Sequence, residues 1–170
     1  EQADKKIVYP SIKLVSPKFN IERFFIEEPF EEKLNELIEI SQPLNKDFLL
    51  IFPEGMANIS DLNHLEKNLI KFSNQLTGNS KIILGVSIND DSKIYNSLVL
   101  LNKDFILEDK YNKNKLVPFG EYLPFEKFLS NFGLKKITQG YRSFSSSNER
   151  NVINIYTTSF LPLICYEIIF

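Results

Sequence analysis

Three stretches of the chain carry side chains whose types and spacing could do chemistry together. Tyr111 to Tyr122, YNKNKLVPFGEY, sets Lys113 and Glu121 on either side of a Pro-Phe-Gly turn. Glu54 lies in IFPEGMAN, and Cys165, the single cysteine, lies in LPLICYEIIF. In that chain order a glutamate, a lysine and a cysteine can serve as base, charge stabiliser and nucleophile in a thiol-dependent acyl transfer.

Each residue also has a plainer reading. A lone cysteine in an apolar strand is more often a small buried hydrophobe than a nucleophile. Lysines are usually solvated, as expected for Lys110 and Lys115, yet Lys113 stands between Tyr111 and the apolar Leu116, Val117 and Phe119 and could point inward. Glu121 could face solvent in the turn or hold the lysine. Tyr166 and Glu167 follow Cys165 at once, and a glutamate in an otherwise apolar stretch needs a partner if it is buried. The usual thiol activator is histidine, but His64, the only one, falls among charged neighbours in DLNHLEKNL. The base is therefore expected to be a carboxylate working where burial raises its pKa, and Glu54 fits because it follows an apolar strand.

The elements that must position these residues follow from periodicity. Ile7 to Leu14 alternates and is broken by Pro10, a short strand near an edge. Pro29 to Ile40 repeats its apolar residues at three and four with acids early, an amphipathic helix. Asp47 to Phe52, DFLLIF, reads as a strand buried on both faces. Ser60 to Leu76 returns to helical spacing, with Ser60 or Asp61 as N-cap and Gly78 ending it.

Lys81 to Ile88 and Ile94 to Leu101 are branched-rich strands joined through Asn89 to Lys93, and Phe105 to Lys110 is a third extended piece. Phe125 to Asn131 reads as a short helix, Ser143 to Asn151 as a loose surface loop, and Phe160 to Phe170 as a buried strand running into an elbow at Cys165. Helix and strand alternate first and strands then follow in sequence, which predicts an α/β layered fold with a mixed sheet.

The totals narrow the function. At 170 residues the chain makes one domain or most of one, long enough to bury roughly 70% of its unfolded surface. With 20 basic against 22 acidic residues there is no general electrostatic reason to bind nucleic acid. One cysteine forms no internal disulfide and leaves the redox compartment open. No apolar run reaches the ~18 residues of a membrane span. Asp90 with Asp91 is too little for a metal site, and the scattered Gly78, Gly85, Gly120, Gly133 and Gly140 form no nucleotide fingerprint, so no cofactor is expected.

Taken together, YNKNKLVPFGEYLP and ICYEIIF, with Glu54 upstream and Thr138-Gln139-Gly140 between, resemble the nitrilase, or carbon-nitrogen hydrolase, superfamily. Tyr-x-Lys-x-x-Leu is shared across it, while Val-Pro-Phe-Gly-Glu resembles its apolipoprotein N-acyltransferase branch. Phe52-Pro53-Glu54-Gly55 and Tyr9-Pro10-Ser11 depart mildly from that branch's Trp-Pro-Glu and Gln-Pro-Asn.

The resemblance implies a nitrilase-like αββα sandwich with Glu54 as general base, Lys113 as oxyanion stabiliser and Cys165 as nucleophile, completed by Glu121, Tyr166 and Glu167. It implies a phospholipid acyl donor, a diacylglyceryl apolipoprotein acceptor and a periplasm-facing domain at the bacterial inner membrane. In that branch membrane helices precede the domain, which continues past Cys-Tyr-Glu. Residues 1–170 are thus expected to be a partial domain, incomplete at the C-terminus, with Phe119 to Phe132 the most apolar candidate for lipid contact. A soluble amidase and a non-catalytic remnant are the alternative functions.

Overall fold

The computed structural model describes residues 11–19, 29–59, 69–90, 92–125 and 143–170. His64, the Ser60 or Asp61 cap, most of the predicted Phe125 to Asn131 helix, Thr138-Gln139-Gly140 and residues 7–10 of the first predicted strand lie outside them.

The elements run β1 (Ser11–Leu14), α1 (Phe30–Ile40), β2 (Phe48–Ile51), β3 (Ala57–Ile59), β4 (Lys81–Asp90), β5 (Lys93–Asn102), β6 (Leu107–Asn112), β7 (Ile153–Ile155) and β8 (Thr158–Phe160). Short 3₁₀ helices cover Ile70–Gln75 and Cys165–Ile169. β1, β2 and β4 pair in parallel, and β4, β5 and β6 pair antiparallel, giving the expected mixed sheet in the order β1-β2-β4-β5-β6. β3 also pairs with β4, beyond β2 along the same edge.

The period-two pattern of the strands sorts the core onto two faces. Phe48, Leu50, Ile82, Leu84, Val86 and Val99 face one way and pack with Leu34, Leu37 and Ile38 of α1. Leu49, Leu100 and Tyr111 face the other way and pack with Ile153, Ile155 and Ile164, so the small β7–β8 sheet lies across the face opposite α1. The layers are helix, sheet, sheet, and β2 is buried on both faces, as its unbroken apolar run requires.

α1 begins after Pro29 and carries Glu31 and Glu32 in its first turn, where acids favour the positive end of the helix dipole. At its other end Lys13 Nζ donates to the carbonyls of Ser41 (2.6 Å) and Pro43 (2.7 Å) while standing 4.3 Å from the centre of the Phe48 ring. This cation satisfies carbonyls left over at the helix terminus and ties β1 to α1.

Two predictions of local structure need correction. The end of the second predicted helix, Ile70–Gln75, is 3₁₀, although Phe72 and Leu76 are buried as the spacing requires. The buried strand expected over Phe160 to Phe170 is not formed: β8 ends at Phe160, residues 161–164 lack regular pairing, and Cys165–Ile169 is a 3₁₀ turn. Its apolar residues divide, with Ile164 buried and Leu161, Leu163, Ile168, Ile169 and Phe170 exposed. Continuous hydrophobicity does not separate a two-faced strand from such a turn, and the ambiguity resolved the other way.

Candidate active site

Glu54 sits where the edge of β4 changes partner. Ile51 pairs with Ile83, and Ala57 with Val86, so six steps along one segment are matched by three along β4. The surplus is taken up by Pro53, Glu54 and Gly55, a bulge that pushes Glu54 out of the sheet. Gly55 allows the turn with a φ of +74°. Opposite stands Gly85, whose N–H donates to Pro53 O (3.2 Å) and whose carbonyl accepts from Met56 N–H (2.8 Å). A Cβ on Gly85 would lie 2.5 Å from Glu54 Cα and 2.8 Å from Pro53 O, so only glycine permits this approach. The expected burial of Glu54 is corrected: the bulge leaves the residue exposed, and its carboxylate is held by Asn96 instead.

Lys113 follows β6 and points inward with only 1% of its surface exposed. Its Nζ donates to Glu121 Oε1 at 3.0 Å. Glu121 is fixed by its own turn: Val117 N–H donates to Oε2 (2.9 Å), Glu121 N–H donates to Val117 O (2.9 Å), and Phe119, at a φ of +63°, reverses the chain between them. Asn96 on β5 completes the set. Its Nδ2 donates to Glu54 Oε1 (2.6 Å) and to Glu121 Oε1 (2.9 Å), and its backbone carbonyl accepts from Lys113 N–H (2.8 Å). Glu54, Asn96, Glu121 and Lys113 therefore form one hydrogen-bonded group.

Cys165 opens the last 3₁₀ turn, exposed and with a φ of +53°, a left-handed conformation costly for a residue with a Cβ. What holds it there is Glu167, fully buried. Glu167 Oε2 accepts from Ile164 N–H (2.9 Å), and Oε1 accepts from Tyr111 OH (2.9 Å), Asn114 N–H (2.8 Å) and Lys115 N–H (2.9 Å). One carboxylate thus clamps the cysteine turn to the loop that carries Lys113. Burial pushes its pKa up, but the N–H groups of Ile164, Lys115 and Asn114 and the Tyr111 hydroxyl outweigh burial and hold it below the ordinary value. Burial first, then the Glu167 contact, pushes Tyr111 up to about 12. Tyr166 is exposed beside Cys165, and among the described residues no group of His, Cys, Asp and Glu is arranged to hold a metal.

The segment from Ser143 to Asn151 is a loop as expected, but it is not loose. Phe144 N–H donates to Glu121 O (2.8 Å), Ser145 N–H to Ile94 O (2.7 Å) and Ser147 N–H to Lys113 O (3.0 Å), so its backbone lines the site. Sequence reasoning missed this, along with Asn96 and Gly85. An asparagine or glycine within an apolar strand is the signal that marks the latter two.

The site residues sit on a mixed α/β fold that presents a bulged glutamate, an inward lysine paired with Glu121 and an exposed cysteine on a strained turn. The sequence profile described as "Carbon-nitrogen hydrolase" matches residues 49–170, and the chain belongs to that family, with its nitrilase-like α/β fold. It is similar to the apolipoprotein N-acyltransferases of Rickettsia typhi (31% identity, covering 94% of this chain and 32% of the relative) and Aquifex aeolicus (32% identity, 83% and 32%). The chain spans about a third of the length of these curated relatives. The crystal structure of N-terminal amidase is similar over 62% of this chain and 28% of that one, with 17% identity and a TM-score of 0.40.

Proposed function

We propose that this chain carries the acyl-transfer centre of an apolipoprotein N-acyltransferase. Glu54 takes the proton of the Cys165 thiol, and the thiolate adds to an ester carbonyl of a phospholipid. The oxyanion is met by the Lys113 ammonium and by the N–H that follows Cys165. The acyl C–O bond breaks, and the leaving glycerol oxygen recovers the proton from Glu54, giving a thioester on Cys165 and a lysophospholipid. The neutral α-amine of a diacylglyceryl-cysteine apolipoprotein then attacks the thioester, Glu54 accepts the amine proton, and the C–S bond breaks. The proton returns to the sulfur and the N-acylated lipoprotein leaves.

The observation that carries this reading is the Glu167 clamp. It fixes the cysteine turn against the loop whose lysine is buried and paired with Glu121. Such a lysine is oriented before substrate arrives and needs no reorganisation during reaction.

The domain proposed for residues 1–170 is the carbon-nitrogen hydrolase portion of a longer membrane enzyme of the bacterial inner membrane, facing the periplasm. Among the described residues no helix is long and apolar enough to cross a membrane. Phe119, in the turn that carries Glu121, and Phe125 are exposed and are proposed to meet lipid.

Mass spectrometry of the chain after incubation with phospholipid vesicles tests the first half-reaction. A hydroxylamine-sensitive acyl adduct on Cys165, absent in Cys165→Ser, is the expected result. No adduct on a chain shown to be folded by circular dichroism and thermal melting would overturn it. Because the family profile is that of a hydrolase, a soluble amidase is the second reading: turnover of small amides without thioester formation from phospholipid would favour it.

A further inference from the structure

Three charged groups, Glu54, Glu121 and Lys113, belong to one hydrogen-bonded group that holds a single ammonium and two carboxylates. In the structure the ammonium pairs with Glu121. The residue that separates the two carboxylates is Asn96, 6% exposed on β5. Its amide nitrogen carries two hydrogens in fixed directions. One goes to Glu54 Oε1 and the other to Glu121 Oε1, at 2.6 and 2.9 Å. A donor held between them keeps the two negative groups at a set spacing and neutralises neither. Through its backbone carbonyl the same residue fixes the start of the Lys113 loop.

We infer that Asn96 is a positioning residue that divides the charges of this site, keeping Lys113 on Glu121 and leaving Glu54 free to act as base toward the Cys165 thiol. This deepens the proposed acyl-transfer reading and rests on it for the role of Glu54. Side-chain chemistry explains why asparagine is used. Aspartate would place a third carboxylate between two others and donate nothing in its ionised form, whereas serine has a single O–H and could serve only one of the two acceptors. Without the donor, Glu54 loses its partner and competes with Glu121 for the one ammonium.

The test reads thiol activation without any acyl donor. Cys165 is the only cysteine, so its alkylation by iodoacetamide, in which the sulfur displaces iodide, can be followed across pH in the wild-type chain, Asn96→Ala, Asn96→Asp and Glu54→Gln. At about pH 6–7 a positioned base should make alkylation of the wild type roughly 10- to 100-fold faster than in all three variants. The difference should close by about pH 9–10, where the thiol ionises unaided. Circular dichroism and thermal melting check that each variant is folded, because the thiol of a disrupted chain would also ionise unaided at high pH, and the nearly isosteric Asn96→Asp variant guards against a cavity effect in Asn96→Ala.

Alkylation profiles of Asn96→Ala and Asn96→Asp that superimpose on the wild type would overturn the inference. So would a Glu54→Gln profile that superimposes, since Glu54 would then activate nothing. Convergent profiles without an acyl adduct from phospholipid vesicles would leave the role of Asn96 standing and defeat the acyl-transfer reading instead.

Discussion

The Tyr111 hydroxyl donates to the Glu167 carboxylate at 2.9 Å, joining the end of β6 to the cysteine turn across 56 positions of sequence. Three backbone N–H groups complete the coordination of that carboxylate, which is wholly buried. Glu167→Gln turns an amide group towards N–H donors and removes the charge they were arranged for. The expected loss is about 2–4 kcal/mol of unfolding free energy, measured by denaturant titration, against about 1 kcal/mol for Tyr111→Phe, which removes only one of the four bonds.

The same contacts give the protein an acid limit. The native pKa of Glu167 is depressed below its ordinary 4.5, so the stabilisation is fully present above that value and is lost as pH falls through the native one. Thermal melting from neutrality downwards should show the midpoint dropping below about pH 4.5. Glu167→Gln should flatten that slope; an unchanged slope in the variant would place the acid transition elsewhere.

On the alkaline side Tyr111 is pushed from 10.0 up to about 12. Its raised native pKa favours the neutral phenol, so the stability it adds is complete below 10 and is lost as pH rises towards 12. Spectroscopic titration should show a late phenolate step that Tyr111→Phe diminishes. Tyr156, pushed up to about 12 by burial and the charges of Asp47 and Glu108, should remain.

Gly85→Ala should displace Glu54 without touching its carboxylate. The new methyl would meet backbone atoms that cannot rotate away, so a cost of about 1–3 kcal/mol is expected in thermal unfolding. Acylation of Cys165 should fall with it, and an alanine variant with full acylation would show that the bulge does not set the position of the base.

Cys165→Gly separates stability from chemistry. With a φ of +53° the cysteine backbone is strained, and glycine removes the strain while deleting the thiol. The variant should be about 1 kcal/mol more stable than Cys165→Ala and equally unable to form an acyl adduct.

What could be read from sequence was whatever local pattern controls. The parallel and antiparallel strands followed from apolar runs and breakers, and the inward Lys113 and its Glu121 partner stood close together around a marked turn. Asn96 was not legible, because a polar residue in a strand is equally consistent with an exposed face until its partners, 25 and 42 positions away, are known. The exposure of Glu54 was misread because a bulge depends on the register of the neighbouring strand, which no property of IFPEGMAN encodes. The elbow at Cys165 was expected, but the residues around it were misread as a buried strand, because Glu167, which organises the turn, acts through donors more than 50 positions upstream.

The β4–β5 pairing also bears on the order in which the molecule is built. Ten consecutive residue pairs, from Lys81 with Asn102 to Asp90 with Lys93, zip outward from a short connection, and such local closure is the least costly in chain entropy. The Glu167 clamp instead closes a span of 56 positions. Folding should therefore produce a sheeted intermediate stage in which the central hairpin exists before the thiol is seated, and competence for chemistry should be the last property the nascent chain acquires.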